Sequence, residues 1–172
     1  MNMRVLFLSL MVSFGLVLAL PIARADNTPA PAFSVASEAG QISLSEHKGK
    51  VVYLDFWASW CSPCRASFKW LNEAQERYGS QGLVIIAVNV DQDKEAARQF
   101  LKENPANFKI GFDPEGGVAK SYQVRGMPSS YLIDRDGRLQ SSHIGYRLKD
   151  KSALEEEVRK LVSEAKLAAV TP

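Results

Sequence analysis

The chain contains two cysteines, Cys61 and Cys64, and only Ser62 and Pro63 separate them. Cysteines at this spacing can form a structural disulfide, bind a metal ion or carry electrons by thiol–disulfide exchange. A structural disulfide here would close a loop with only two intervening residues. It would add little stability, because the entropy that a disulfide removes from the unfolded chain grows with the logarithm of the loop length. A chain of 172 residues, 46% of them hydrophobic, can also bury a core without a covalent crosslink.

Metal binding needs more ligands than the sequence places near the cysteine pair. A closed zinc site takes four nitrogen or sulfur ligands, and the other candidates, His47 and His143, are far apart in the sequence. Covalent haem attachment needs a histidine directly after the second cysteine, where the chain has Arg65. We therefore expect no metal and no cofactor here, which favours the redox interpretation.

The hydrophobic pattern around the pair predicts the elements that position it. Val51 to Phe56 is a nearly continuous apolar run typical of a buried strand, Ser62 to Tyr78 has helical spacing, and Leu83 to Val90 is a second buried strand. Together they predict a parallel βαβ unit. Cys61 then lies at the N-terminal end of the helix, where free N–H groups and the helix dipole stabilise a thiolate. We expect the Cys61 sulfur to attack and the less exposed Cys64 sulfur to resolve.

The N-terminal segment has the pattern of a secretory signal peptide. Arg4 precedes an apolar run from Val5 to Leu20, and Ala23-Arg24-Ala25 is a small-x-small cleavage signature. We predict a signal peptide over residues 1–25, and an uncleaved membrane anchor is the alternative. The run has 16 residues, which is short against the roughly 20 that span a bilayer. No cysteine lies near Ala25, which excludes a lipid-modified lipoprotein.

The remaining chain, residues 26–172, is expected to form one domain, because no further composition shift or repeat follows the short polar segment from Asp26 to Pro31. Removing Arg4 and Arg24 lowers the count of basic residues from 21 to 19, which equals the 19 acidic residues. This balance gives no support for a nucleic acid or an anionic surface as partner.

The second half of the chain predicts shorter elements. A helix opens at Asp93 and ends near Asn104, because Pro105 disfavours helical geometry before it. We further predict a short edge strand at Ile110 to Phe112 and one or two helical turns at Gly116 to Tyr122. Ser130 to Ile133 and Leu139 to Ile144 are predicted to form a hairpin. The hairpin turn contains Asp134-x-Asp136-Gly, but a calcium loop would also need a later bidentate glutamate.

A terminal helix is expected to cover one face of the sheet. Ser152 to Glu155 fits a capping box at its start. Its apolar stripe consists of Leu154, Val158, Leu161, Val162 and Ala165. Docking of a partner helix is the alternative use of this stripe.

Two stretches resemble the thioredoxin superfamily: DFWASWCSPCR, Asp55 to Arg65, and GMPSSYLID, Gly126 to Asp134. The resemblance covers roughly residues 32–170. It implies an α/β thioredoxin fold, in which a central mixed β-sheet carries helices on both faces. It also implies that Pro128, preceded by Met127, is a cis-proline beside the dithiol.

Within the superfamily, the sequence resembles the TlpA and ResA type of exported bacterial thiol-disulfide oxidoreductases. The signal sequence, the AxWCxPC form of the motif and the long segment between Asp91 and Pro128 carry this likeness. It implies a helix-strand insert at Asp93 to Phe112. It also implies an N-terminal hairpin, for which Phe33 to Ala36 and Gln41 to Leu44 are the candidates.

The resemblance also implies roles for the site residues. Cys61 and Cys64 form the redox disulfide, and Asp55 takes the proton of Cys64. Pro128 supports the site. The surface on which a partner segment lies is formed by Trp60, Ser62, Pro63 and Met127. Trp57 and Phe56 are instead read as core packing.

At two positions the sequence departs from the pattern of part of the family. Some ResA-type proteins have an acidic residue facing the dithiol where this chain has Gln92, so the roles of Gln92, Asp91 and Asp93 stay open. Asp55 matches the buried aspartate of thioredoxins, whereas many exported relatives have a neutral residue there. The alternative for Asp55 is a strand-end carboxylate with a structural role.

The expected function is that of a periplasmic reductase of protein disulfides. Its partners would be disulfide-containing or thiol-bearing exported proteins and a membrane thiol-relay reductant, and the protein would be a monomer. The alternatives are a disulfide isomerase or oxidase, and a non-catalytic module that binds a partner or copper. Strong oxidases usually have a histidine between the cysteines, where this chain has Ser62 and Pro63. Copper would favour more soft ligands, and Met127 is the evident candidate.

Overall fold

The computed structural model describes residues 28–168, with the side chains of residues 28–164. The predicted signal peptide, its cleavage site and the side chain of Ala165 in the apolar stripe therefore lie outside what the structure describes. The strands are β1 (Ser34–Ser37), β2 (Gly40–Ser43), β3 (Val51–Trp57), β4 (Leu83–Asn89), β5 (Lys109–Phe112), β6 (Ser129–Ile133) and β7 (Leu139–Ile144). The helices are α1 (Ser62–Tyr78), α2 (Lys94–Glu103), α3 (Gly117–Ser121) and α4 (Lys151–Ala168).

The described strands form one mixed sheet in the order β2-β1-β5-β4-β3-β6-β7. Strand β3 lies inside it, parallel to β4 and antiparallel to β6, and all its residues are buried. Strands β3 and β4 with α1 are the predicted βαβ unit, and β6 with β7 is the predicted hairpin. These predictions are confirmed. The chain therefore passes from the end of β3 to the cysteines at the edge of the sheet where this strand ends.

The two faces of β3 belong to two hydrophobic clusters. Tyr53 and Trp57 pack with residues of α1, α2 and α4, in the same cluster as both cysteines. Leu54 and Phe56 pack on the other face against residues of the N-terminal hairpin and against Tyr122, which follows α3. This alternation has the period of a strand covered on both sides. The expected layer of helices on each face is confirmed.

Strand β5 corrects the predicted edge strand. It pairs with β4 on one side and with β1 on the other, so it lies inside the sheet. The hairpin β1–β2 forms at the predicted place and adds to the outer side of β5, which makes β2 the edge. Gly111 permits this close approach, because a Cβ atom there would lie 2.4 Å from Cγ2 of Val35.

The start of α4 also differs from the prediction. A 3-10 turn over Leu148–Asp150 leads directly into the helix at Lys151, so Ser152 lies within the first turn and does not cap it. The predicted capping box at Ser152 is therefore wrong. The stripe itself faces the sheet, where Leu154, Val158 and Val162 are buried and Leu161 is half-buried.

The turn between β6 and β7 uses its aspartates for its own backbone. Oδ1 of Asp134 accepts hydrogen bonds from the N–H groups of Asp136 and Arg138. Gly137 has a φ of +78°, a conformation that glycine adopts readily. In residues 28–168, no group of three or more His, Cys, Asp or Glu side chains is arranged to hold a metal ion. Nor is any described helix both long enough and apolar enough to cross a membrane.

Candidate active site

The cysteine pair lies where β3 passes into α1. Strand β3 ends at Trp57, and Cys61 is the N-cap residue of the helix, with extended backbone angles. The N–H of Cys61 donates to the carbonyl oxygen of Ala58, and the N–H of Cys64 donates to that of Cys61. Pro63 lies in the first turn, where its missing N–H removes no helical hydrogen bond. The local sequence thus places the first sulfur at the positive end of the helix.

Cys61 and Cys64 are joined by a disulfide, with their Cα atoms 5.4 Å apart. Cys61 has 3% of its surface exposed and Cys64 has none. The prediction that Cys64 is the less accessible cysteine is confirmed. The exposed surface of the pair therefore belongs to Cys61.

The residues around the pair differ strongly in exposure. Trp60 has 71% of its surface exposed, and Ser62 and Pro63 are also exposed. Met127 is half-buried and packs against the cluster that contains both cysteines. The exposed residues and Met127 together offer an apolar surface beside the disulfide.

The Met127–Pro128 peptide bond is cis, as the resemblance implied. Two hydrogen bonds hold this segment. The carbonyl oxygen of Pro128 accepts from the N–H of Gly145 at 2.7 Å, and Oγ of Ser129 donates to the carbonyl oxygen of Gly126 at 2.6 Å. Pro128 itself is buried.

Asp55 is buried in β3, on the face of the sheet that carries the cysteines. Its Oδ2 atom has no hydrogen-bond partner among the described residues. Burial without a compensating donor raises the pKa of this carboxyl well above its usual range. At neutral pH such a group holds a proton far more readily than an exposed aspartate does.

Asp91 has a contact that sequence reasoning did not find. One of its carboxylate oxygens, Oδ2, accepts a hydrogen bond from the backbone N–H of Ser59 at 2.7 Å and another from the side chain of Asn89 at 2.8 Å. Gln92 is exposed, and Asp93 caps α2 by accepting from the N–H of Glu95. The sequence signal was the pair of polar residues, Asn89 and Asp91, at the end of an otherwise apolar strand.

Trp57 belongs to the core, as predicted. Its ring contacts those of Phe68 and Phe100, with centroids 5.0 and 4.7 Å away. Phe56 is likewise fully buried, on the opposite face. These aromatic residues stiffen the strand that leads to the cysteines.

A protein-family comparison identifies the chain. The profile of the Redoxin family matches residues 25–158. The chain belongs to the Redoxin family. Thiol-disulfide oxidoreductase ResA from Bacillus thuringiensis subsp. konkukian is 36% identical over 133 residues, which cover 77% of this chain and 76% of that protein. ResA from Bacillus subtilis is 36% identical over 115 residues, covering 66% of this chain and 64% of that protein.

Solved structures agree with this membership. The crystal structure of a thiol:disulfide interchange protein DsbE from Chlorobium tepidum has a TM-score of 0.78 and 44% identity, and covers 80% of this chain and 97% of that one. The crystal structure of StoA from Bacillus subtilis has a TM-score of 0.63 and 27% identity, and covers 74% of this chain and 96% of that one. The thioredoxin fold, the ResA-like type and the thiol-disulfide oxidoreductase class of this Redoxin are confirmed.

Proposed function

We propose that this Redoxin reduces disulfide bonds in exported proteins through Cys61 and Cys64. The observation that carries the proposal is the position of Cys61, at the N-cap of α1 with Ser62 and Pro63 before Cys64. Helix-end stabilisation alone lowers a cysteine pKa to about 7, whereas a strong oxidant has a cysteine pKa near 3.5. A thiolate of moderate stability gives up its electrons readily.

The reaction begins with the reduced dithiol. The Cys61 thiolate attacks one sulfur of the partner's disulfide, forming a new S–S bond and releasing the other partner sulfur as a thiolate. Cys64 then attacks Sγ of Cys61, which breaks the mixed disulfide and releases the second partner sulfur. Two electrons pass to the partner, and Cys61 and Cys64 become a disulfide. Asp55 takes the proton that Cys64 must lose before it attacks.

The partner segment is proposed to lie across Trp60, Ser62, Pro63 and Met127. Support comes from the exposure of the first three residues and from the packing of Met127 against the cysteine cluster. The backbone of Met127, which precedes β6, is proposed to face the partner. A chain in extended conformation can pair with that backbone.

The midpoint potential tests the direction of the reaction. Purified protein equilibrated in glutathione redox buffers should give a value nearer thioredoxin's, about −270 mV, than the roughly −120 mV of a strong oxidant. A midpoint above about −180 mV, the level of a disulfide isomerase, would falsify the reductase assignment.

The compartment and the partners follow from the same proposal. The predicted signal peptide, with its apolar run from Val5 to Leu20 and its end at Ala25, supports export to the periplasm, where a membrane thiol-relay protein would re-reduce the disulfide. The mature N-terminus, read by mass spectrometry of protein from cells, should then be Asp26, and an intact Met1 would contradict cleavage. A Cys64→Ala variant should hold its partners as mixed disulfides, while Cys61→Ala holds none. A monomeric mass in solution is expected.

A further inference from the structure

The buried position of Asp55 raises the question of how its proton reaches water. Asp55 has 2% of its surface exposed, and its Oδ2 has no hydrogen-bond partner among the described residues. Each catalytic cycle must nevertheless add a proton to this carboxyl and remove it. A polar path from Asp55 to the surface would therefore have a function in the reaction.

Polar side chains continue across the sheet from Asp55. Ser130 of β6 is paired with Asp55, and His143 of β7 is paired with Ser130. Directly paired residues point to the same face, with Cβ atoms about 5 Å apart. The three side chains thus form a row that runs from β3 to β7, which is one of the two edge strands of the sheet.

A hydroxyl pair lies beside the inner part of this row. The Tyr53 hydroxyl donates to Oγ of Ser130 at 2.8 Å, and this contact is buried. Because Oγ of Ser130 accepts that bond, its own hydrogen remains free to turn toward the paired position of Asp55. Burial, followed by the charge of Asp55, raises the pKa of Tyr53, so both hydroxyls stay neutral and can donate and accept.

The outer end of the row reaches water. Nε2 of His143 lies 2.8 Å from Oε2 of Glu157, and the hydroxyl of Ser141 donates to the same oxygen. The side chains of His143 and Glu157 are 32% and 36% exposed. An imidazole and a carboxylate at this depth can exchange protons with solvent.

We propose that the Ser130–Tyr53 hydroxyl pair conducts protons between Asp55 and the His143–Glu157 pair at the sheet edge. This inference rests on the proposed role of Asp55 as proton acceptor for Cys64. The proton that Asp55 holds first passes through the two hydroxyls to His143 or Glu157 and into water, which leaves a carboxylate. Asp55 then takes the Cys64 proton while Cys64 displaces the partner from Cys61, so Asp55 is protonated and neutral again after the cycle. Ser130 and Tyr53 are positioning residues.

Titratable groups that face this row come from several elements, and a pH profile must account for all of them. Ala87 of β4, which is paired with Asp55, adds no charge. The titratable groups are Tyr53 and Asp55 on β3, Cys64 on α1, His143 on β7, Glu157 on α4, and Tyr146 after β7.

The experiment measures the resolution step directly. Reduced protein is mixed with an aromatic disulfide whose leaving thiol absorbs visible light, because the second release of this thiol reports the attack by Cys64. Tyr53→Phe and Ser130→Ala should each slow the second release at least about threefold at pH 6 to 7, a fraction of what general acid–base catalysis contributes. His143→Gln should also slow the second release, because it removes one of the two groups that pass the proton to water. The first release and the midpoint potential should match those of the wild type.

A merely structural effect would give a different pattern. As the pH rises toward 10, a growing fraction of Cys64 ionises without help, so the difference between the variants and the wild type should shrink. Slowing of equal size at every pH, or a shifted midpoint, would overturn the proton path. Tyr131→Phe is the matched control, because its hydroxyl donates to the carbonyl oxygen of Tyr122 on the other face of the same sheet. It should resolve at the wild-type rate.

Asp55→Asn separates this inference from the function on which it rests. If Asp55→Asn is slow while Tyr53→Phe and Ser130→Ala resolve like the wild type, the path is wrong and the role of Asp55 stands. If Asp55→Asn itself resolves at the wild-type rate from pH 6 to 9, the path and the proton role fall together. The midpoint potential tests the reductase assignment independently of both.

Discussion

The carboxylate of Asp91 accepts a hydrogen bond from the backbone N–H of Ser59 at 2.7 Å. The segment that follows β4 therefore holds the chain two residues before Cys61. Asp91 is buried, and the N–H of Asp91 in turn donates to the side chain of Asn89. The active-site connection is thereby tied to the strand next to β3. A carboxylate of this kind orders the loop in which Cys61 begins its helix.

Asp91→Ala should lower the free energy of unfolding by about 1–3 kcal/mol, because the partly buried Ser59 N–H loses its acceptor. Asp93→Ala is the matched control. It also removes an aspartate that accepts a backbone N–H, but at an exposed helix cap, where about 1 kcal/mol is expected. Urea denaturation of the oxidised proteins compares the two. A cost for Asp91→Ala no larger than that for Asp93→Ala would contradict the buried role.

Asp55→Asn should stabilise the protein more at high pH than at low pH. Burial raises the folded-state pKa of Asp55 above the unfolded value of about 3.9. Between these two values the folded state keeps a proton that the unfolded state releases, so the stability of the wild type falls as pH rises. The asparagine variant lacks this loss. Urea denaturation at pH 4 and pH 8 measures the difference, and an equal effect at both would contradict a raised pKa.

Pro63→His should make the protein more oxidising. A protonated histidine in the first turn of α1 lies beside Cys61 and stabilises its thiolate, which favours the reduced form. Stabilisation by 1.4 kcal/mol corresponds to a rise of about 30 mV in the midpoint potential, and at least this much is expected. Ala66→His, on the exposed side of the same helix, is the control and should leave the midpoint near that of the wild type. Glutathione redox buffers give both values.

Trp60→Ala should weaken the reaction with protein disulfides without changing stability by more than about 0.5 kcal/mol, since the side chain is 71% exposed. The KM for a protein substrate such as insulin should rise, while the rate with a small disulfide stays the same. Leu148→Ala removes another exposed apolar side chain, 78% of it accessible, and serves as the control. An unchanged KM for Trp60→Ala would remove this residue from the partner surface.

Gly111→Ala should lower the free energy of unfolding by about 1–3 kcal/mol, because the added Cβ would overlap Cγ2 of Val35. Adding Val35→Ala should recover part of this loss, since it removes the overlapping methyl groups. Gly117→Ala is the control, because its Cβ would come no closer than 3.9 Å to any atom beyond its chain neighbours and its own helix backbone. Thermal denaturation of the wild type and of the three variants measures these differences in stability. A Gly111→Ala variant as stable as Gly117→Ala would contradict the close packing.

The sequence predicted most of what lies near the cysteines, because that region is governed by local patterns. Continuous apolar runs marked β3 and β4, helical spacing marked α1, and the motif placed Cys61 at the start of that helix. The cis bond before Pro128 followed from the resemblance alone. Each of these features depends on residues close together in the chain.

The features that the sequence did not predict depend on contacts between distant residues. The pairing of β1 with β5 joins residues far apart in the chain, and a strand of four residues has no pattern that tells an edge from an interior place. The contact of Asp91 with Ser59 needed the folded sheet. The start of α4 was missed because a 3-10 turn extends it, and several polar residues there fit a cap equally well.

The pairing of β1 with β5 makes the hairpin and the insert mutually dependent. Without the insert, β1 has no strand on its inner side, and without the hairpin, β5 presents an open edge to any passing chain. A chimera that exchanges one of them with a plain thioredoxin would leave unsatisfied backbone groups along the seam. The two segments should therefore be transplanted together, as one cassette, when this scaffold is shortened or recombined.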